Sequence, residues 1–341
     1  MRAILGWIGA GIIASAAGGL ALEVVSAQSG PAEMTPAARA YLDHSIELFR
    51  QMHINASKMN WPELREEAYR AASGAKTTAD TYPAIRLIIR KLGEKHTSLA
   101  DPDQAKAWNT GQPSGRAAPV AFRPPEAQRL ANGVGVIRLF DFMGSPPEAQ
   151  TYAQAGEREV AVLKERGVCR FVVDLRSDQG GNMYPMITAV SGLLDDGVLG
   201  TFEDAAGHSS HWILKDGVVT TSVASDAQAP NPPRNRFPVA VLIGPSTASA
   251  GEFTAMSFKG RPVTSFFGAP SAGWITANIP VRLSDGAVIL MTSGWGVDRT
   301  GKKYVDSIVP DQAAGPDQAG IAAAAGWLLR QPCPKTAGAH H

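Results

Sequence analysis

A serine, a histidine and a pair of glycines are the residues of this 341-residue chain whose settings suit them to chemistry. Ser249 stands in Gly244-Pro245-Ser246-Thr247-Ala248-Ser249-Ala250-Gly251-Glu252, after the apolar run Val239 to Ile243 and ahead of a helical pattern from Gly251 to about Gly260. A serine between a strand end and a helix start meets oriented backbone N–H groups that can stabilise an oxyanion. That setting marks Ser249 as a candidate nucleophile. The same spacing has a plainer reading, since Ser249 and Glu252 form an S-x-x-E capping box.

A serine hydroxyl attacks only when a nearby base takes its proton. Of the seven histidines, only His340 and His341 follow Ser249, in a polar tail. This order, with Thr247 interrupting a G-x-S-x-G elbow, argues against an α/β-hydrolase. His44, His53, His96, His208 and His211 remain as sources of the base. His96 has the most suggestive setting, Leu92-Gly93-Glu94-Lys95-His96-Thr97-Ser98-Leu99 at a helix end, although a histidine there also complements a helix dipole. A further motif is the buried strand Phe171 to Arg176 running into Ser177-Asp178-Gln179-Gly180-Gly181-Asn182. Paired glycines at such a junction either make a tight turn or let backbone N–H groups approach a ligand closely.

The elements that must position these residues follow from periodicity. Arg2, the apolar stretch Ile4 to Leu22 and Val25-Ser26-Ala27 read as a signal peptide over 1–27, with a mature start near Gln28. Export to the periplasm or the exterior means an oxidising compartment, where Cys169 and Cys333 could pair. No stable membrane insertion is expected after cleavage. Residues 28–100 read as a helical domain, with helices over Pro36 to His53, Pro62 to Ala72 and Ala79 to Leu92. Residues 101–132, rich in Pro, Gly, Gln and Ala, read as a linker or surface loop.

Residues 133–331 alternate strands and helices, the pattern of an α/β domain with mixed sheet order, and 332–341 form a tail. Strands are expected at Val134 to Phe142, Arg170 to Leu175, Val239 to Ile243 and Val263 to Phe267. A hairpin is expected from Ile275 to Thr292, and an extended segment near Tyr304 to Val309. A net charge of +1 gives no electrostatic footprint for nucleic acid or anionic membrane, and the cysteines fit no metal-ligand spacing.

Taken together and in this order, the motifs resemble those of the C-terminal-processing (tail-specific) peptidases and their tricorn-core relatives, over roughly His96 to Asp311. There a strand ending D-L-R-x-N-x-G-G precedes one ending T-A-S-A-x-E, matched here by Asp174 to Gly181 and Thr247 to Glu252. The tricorn-like L-G-D-x-H-[ST] is matched by Leu92 to Thr97 with Glu94 for the aspartate, and Ile308-Val309-Pro310-Asp311 resembles G-V-x-P-D. The resemblance implies an α/β core of the Clp/crotonase-like kind and a serine peptidase acting on peptide or protein substrates, with no metal or organic cofactor. It assigns Ser249 as nucleophile, His96 as base, and the N–H groups of Ala250 and of Gly180 or Gly181 as oxyanion hole.

Two departures shape that reading. The tail-specific branch carries a lysine base in a motif like G-E-P-T-x-G-K-G, but Gly268 to Ile275 puts Trp274 at the lysine position. The tricorn-like branch uses histidine with an orienting carboxylate ahead of the P-D segment. An ungapped register places Tyr304 there and a two-residue shift places Asp306; only a carboxylate stabilises the imidazolium, which favours Asp306. The segment 101–132 is also far too short for the PDZ domain that usually captures substrate tails. Trp274, Phe266 and Phe267 are candidates for lining the substrate pocket, core packing being the plainer assignment; His208, His211 and Trp212 suit a lid or a surface loop. A peptide- or small-ligand-binding protein with a degenerate site, or a serine esterase, stands as the alternative.

Overall fold

Apolar residues at helical spacing fold the first segment into α1 (Pro36–Met52), α2 (Trp61–Ala71) and α3 (Tyr82–Lys91). The computed structural model describes residues 33–110, 123–223 and 237–334; the expected signal peptide, His340 and His341 lie outside them. Each helix has a proline in its first turn, where a missing N–H forfeits no intrahelical bond. The buried stripes (Leu42, Ile46 and Phe49; Leu64 and Ala68; Ile85 and Ile88) share one apolar cluster with Leu283, Ala287, Ile289 and Met291. The helices are thus sealed onto a sheet.

The span read as a loop holds regular structure. After β1 (Ser98–Ala100) come α4 (Pro102–Thr110) and β2 (Glu126–Arg129). β2 is an edge strand whose Glu126, Gln128 and Arg129 are exposed, so backbone pairing holds it and no apolar period marks it in the sequence.

The rest of the chain runs β3 (Gly135–Arg138), α5 (Pro146–Glu165), β4 (Phe171–Asp174), α6 (Met183–Ala189), β5 (Gly197–Asp204), β6 (Ser209–Lys215), β7 (Val218–Val223), β8 (Val239–Ile243), α7 (Ala250–Met256), β9 (Thr264–Gly268), β10 (Thr276–Arg282), β11 (Val288–Asp298), β12 (Gln312–Ala313) and α8 (Asp317–Leu329). One sheet has the order β12-β9-β8-β4-β3-β2, parallel except for β2, and is the mixed sheet expected. Alternation sets its faces. Val136, Val172, Ala240, Leu242 and Phe267 pack with Ile321, Ala324 and Leu328 of α8. Ile137, Phe171, Val173, Val241 and Phe266 pack into the larger core with residues of α5, α6 and α7.

The second sheet is antiparallel, β1-β11-β5-β6-β7 with β10 on the other side of β11. As far as Val223, the mixed region before Pro238 is thus the β5–β7 meander. Trp212, considered for a lid, is fully buried in the core, while His211 bonds Thr201 and His208 is exposed beside Asp204. Residues 304–309 form no strand. α8 was not foreseen, because Gly320-Ile321-Ala322-Ala323-Ala324-Ala325-Gly326-Trp327 has no polar side to set a period. Cys169 and Cys333 are paired, Cα to Cα 5.5 Å, tying the chain beyond α8 to the approach to β4.

Candidate functional site

Ser249 is delivered by β8, five fully buried residues wedged between β4 and β9. The turn after β8 is tied down bond by bond. Thr247 Oγ1 accepts from Gly244 N at 3.0 Å and donates to Leu175 O at 2.9 Å, and Ala248 N donates to Asp178 O at 3.0 Å. Ser249 then takes φ 51° and ψ −115°, a backbone region that non-glycine residues rarely occupy. The buried Glu252 carboxylate holds it there, accepting from Ser249 N at 2.9 Å as well as from Ser271 Oγ, Gly273 N and Trp274 N. Burial pushes the Glu252 carboxyl above its ordinary range, while those hydrogen bonds oppose the shift. Ser249 therefore begins the helix and also lines a cavity.

His96 comes from the other sheet, in the turn from α3 to β1. Its backbone is fixed on both sides: His96 N donates to Glu94 at 2.6 Å, and His96 O accepts from Asn278 Nδ2 at 2.9 Å. Glu94 also accepts from Thr97 N, Thr292 Oγ1 and the ring of buried His53. Burial alone would raise the Glu94 carboxyl, yet this ring of donors holds it down to about 2. Burial lowers the pKa of His96 itself, and the nearby Glu94 charge only partly opposes this. The imidazole is thus kept in the neutral form that a general base requires.

His96 Nδ1 lies 3.0 Å from Thr276 Oγ1. In the tautomer where Nδ1 donates, Thr276 accepts and Nε2 is left as the proton acceptor. Among the described residues, Asp306 makes no hydrogen bond or ion pair with this ring: it is exposed, and Ile308 beyond it is pinned to Ser271. The other register candidate, Tyr304, is buried with its hydroxyl on Asp298. The expected carboxylate behind the histidine is replaced by a hydroxyl, a substitution that nothing in the local sequence signals.

The two glycines have different parts. Gly180 N donates to Asp178 Oδ1 at 3.0 Å, so it has an acceptor already. Phe142 N donates to Gly180 O and Asn182 N to Phe142 O, which turns the Gly181 N–H away from that pairing. Both glycines have positive φ, 109° and 114°. A Cβ on Gly181 would come within 2.0 Å of Phe142 O, and one on Gly180 within 2.9 Å of Ser249 Cβ. Ala250 N, at the start of α7, is among the donors a helix leaves without an intrahelical acceptor. Among the described residues, Gly181 N and Ala250 N thus have no acceptor, and both stand beside Ser249.

Ser249, Ala250, Gly181 and His96 line one cavity of about 630 Å³. Its walls include Tyr184, Phe202, Phe253 and the β10 residues Thr276 to Pro280. Among the described residues, no lysine lines it. Trp274 stands beside the cavity, 41% exposed, its ring 5.6 Å from that of His96. Phe267 is not at the site: it is buried on the far side of its sheet against Trp327 of α8. Phe266 is in the main core. Sequence reasoning missed Thr276, Asn278 and Glu94 as supports; Glu94 was visible as a motif position, the others only as hairpin residues.

The sequence profile described as Peptidase family S41 matches residues 133–314. The nisin-resistance protein of Lactococcus lactis subsp. lactis is 30% identical over 278 residues, covering 81% of this chain and 83% of that protein. The chloroplastic carboxyl-terminal-processing peptidase 2 of Arabidopsis thaliana is 28% identical over 159 residues, 47% of this chain and 27% of that one. Among solved structures, a lipoprotein from Streptococcus agalactiae aligns with TM-score 0.68 at 22% identity, covering 86% of this chain and 96% of that chain. The photosystem II D1 C-terminal processing protease aligns with TM-score 0.59 at 17% identity, covering 84% and 96%. These two establish likeness of fold.

Proposed function

The chain belongs to peptidase family S41 and is a serine-type peptidase, and from that premise we propose that Ser249 is its nucleophile and His96 its general base. The observation that carries this reading is that Ser249, His96, Ala250 and Gly181, drawn from distant parts of the chain, line a single cavity. Ser249 Oγ attacks the substrate carbonyl while His96 takes its proton, later returning it to the leaving amine. The oxyanion is received by the N–H groups of Gly181 and Ala250, each such donor lowering the barrier by about 2.7–4 kcal/mol.

The substrate class is a peptide or protein, which the relative named for carboxyl-terminal processing supports. The relative named for nisin resistance makes nisin the first substrate to assay. Export with cleavage near Gln28 is supported by the apolar N-terminal stretch and by the Cys169–Cys333 pair. N-terminal sequencing of the mature protein tests it; an intact Met1 in the mature fraction would refute cleavage.

The test of the site uses a fluorophosphonate probe on mature wild type, Ser249→Ala and His96→Ala. Labelling of wild type that disappears in both variants is the expected result. Labelling that survives His96→Ala assigns the base to another group. A second reading, a binding protein on the same scaffold, is favoured by the Thr276 hydroxyl standing where a carboxylate would strengthen the base. An unlabelled wild type that still binds peptide would establish it.

A further inference from the structure

Asp178 is a fully buried carboxyl with no part in the steps above. It lies in the turn between β4 and α6, and it touches both halves of the oxyanion site. Its main-chain carbonyl accepts from Ala248 N, one residue before the nucleophile. Its Oδ1 accepts from Gly180 N, one residue before Gly181. It also lies directly against the first turn of α7: a Cβ on Gly251 would come within 2.9 Å of the Asp178 Cγ. Gly180 in turn is pressed against Ser249, where an added Cβ would meet Ser249 Cβ at 2.9 Å and Ala250 N at 3.3 Å. One residue therefore bridges the two turns, its carboxyl bonded to Gly180 N and packed against Gly251, its main-chain carbonyl bonded to Ala248 N.

The state of that side chain follows from its surroundings. Among the described residues, Oδ2 has no hydrogen-bond partner and no cation pairs with the carboxyl. The titratable groups bearing on it are Asp141, from the loop after β3, and Tyr152 of α5, whose hydroxyl donates to Phe140 O. Glu252 of α7 has its carboxylate on Ser271, Gly273 and Trp274. A buried anion with one N–H donor, no counter-ion and a neighbouring acid is strongly disfavoured, so the proton stays on.

Resting on the reading of Ser249 as nucleophile, we propose that Asp178 is a positioning residue which, as a neutral carboxyl, holds the Gly180–Gly181 turn and the Ser249 turn at the separation the oxyanion hole needs. Burial, with the Asp141 charge adding to it, pushes the Asp178 carboxyl up to about 8. Ionisation above that value puts an unpaired charge behind the hole and spreads the two turns. The resembling motif D-L-R-x-N-x-G-G has at this place an asparagine, which is neutral at every pH and of the same shape.

The test measures the rate of fluorophosphonate labelling from pH 6 to 10 in mature wild type, Asp178→Asn, Asp178→Leu and Ser249→Ala, alongside carbon NMR of aspartate-carboxyl-labelled wild type. We expect the wild-type rate to fall at least tenfold through the alkaline range, Asp178→Asn to label at the wild-type neutral rate without that fall, and Asp178→Leu to label at least tenfold more slowly at pH 7. One aspartate carboxyl should titrate above pH 7. An alkaline fall that persists in Asp178→Asn, or no aspartate titrating above pH 7, overturns the proposal while leaving the nucleophile intact. Loss of folding in Asp178→Leu leaves the decision with Asp178→Asn and the NMR titration. Undiminished labelling of Ser249→Ala, or none of wild type, would instead refute the nucleophile itself and the positioning role with it.

Discussion

Holding Ser249 at φ 51° and ψ −115° requires roughly 1–3 kcal/mol of backbone strain, and the buried Glu252 carboxylate is what offsets it. Glu252→Ala would leave the N–H groups of Ser249, Gly273 and Trp274 without their acceptor. We expect a loss of about 2–4 kcal/mol in urea unfolding, with probe labelling slowed more than the unfolded fraction explains. At His96 the sign is set by burial, which lowers its pKa. The neutral imidazole therefore persists to lower pH than an exposed histidine allows, and with His96 in its proposed role as base the acid limb of kcat/KM should lie below pH 6.5. Thr276→Val removes the partner of Nδ1, and kcat should fall about tenfold with KM little changed. An unaltered kcat would show that Thr276 does not orient the ring.

Between strands and helices, short turns carry the proposed site, and their tolerance is narrow. Gly181→Ala would drive a Cβ to within 2.0 Å of Phe142 O at a φ that alanine avoids. More than about 2 kcal/mol of stability and nearly all labelling should be lost together. The turn from α3 to β1 depends on charge instead. The folded Glu94 carboxyl binds its proton less tightly than the unfolded chain does, about 2 against an ordinary 4.5. Its contribution is present above pH 4.5 and is lost as the pH falls towards 2, on the order of 1–2 kcal/mol once solvent screening is allowed for. Acid unfolding of Glu94→Gln should show a shallower dependence over that window; an identical slope would refute the assignment. Both turns were legible as motifs, Leu92 to Thr97 and Ser177 to Asn182. Which N–H of the glycine pair stays free was not, because Asp178 and Phe142 decide it.

Across the whole molecule, the site lies where the two sheets meet. Ser249 and Gly181 follow β8 and β4 of the parallel sheet, whereas His96 and Thr276 adjoin β1 and β10 of the antiparallel one. The helices α1 to α3 fix that second sheet through the cluster with Ile289 and Met291. Ile289→Ala should lower stability by about 2–5 kcal/mol and should disturb His96 while sparing the Ser249 turn. The Cys169–Cys333 bond closes a loop of separation 164, for which chain entropy sets an upper bound of about 5 kcal/mol. Reduction should lower Tm by several degrees; an unchanged Tm would show that the C-terminus holds without it.

The sequence by itself determined the α/β class, the order of most elements and the candidates Ser249, His96, Gly180, Gly181 and Ala250, because periodicity and turn residues are local properties. It did not disclose β2 or α8. The first is held by an edge pairing and the second by burial of a helix without a polar face. Tertiary structure alone decided that a hydroxyl rather than Asp306 faces His96, that Phe267 serves a core remote from the cavity, and that Gly180 is bound by Asp178. These are contacts between residues far apart in the chain. Their partners are chosen by how two sheets pack, and no spacing within either sheet encodes that choice.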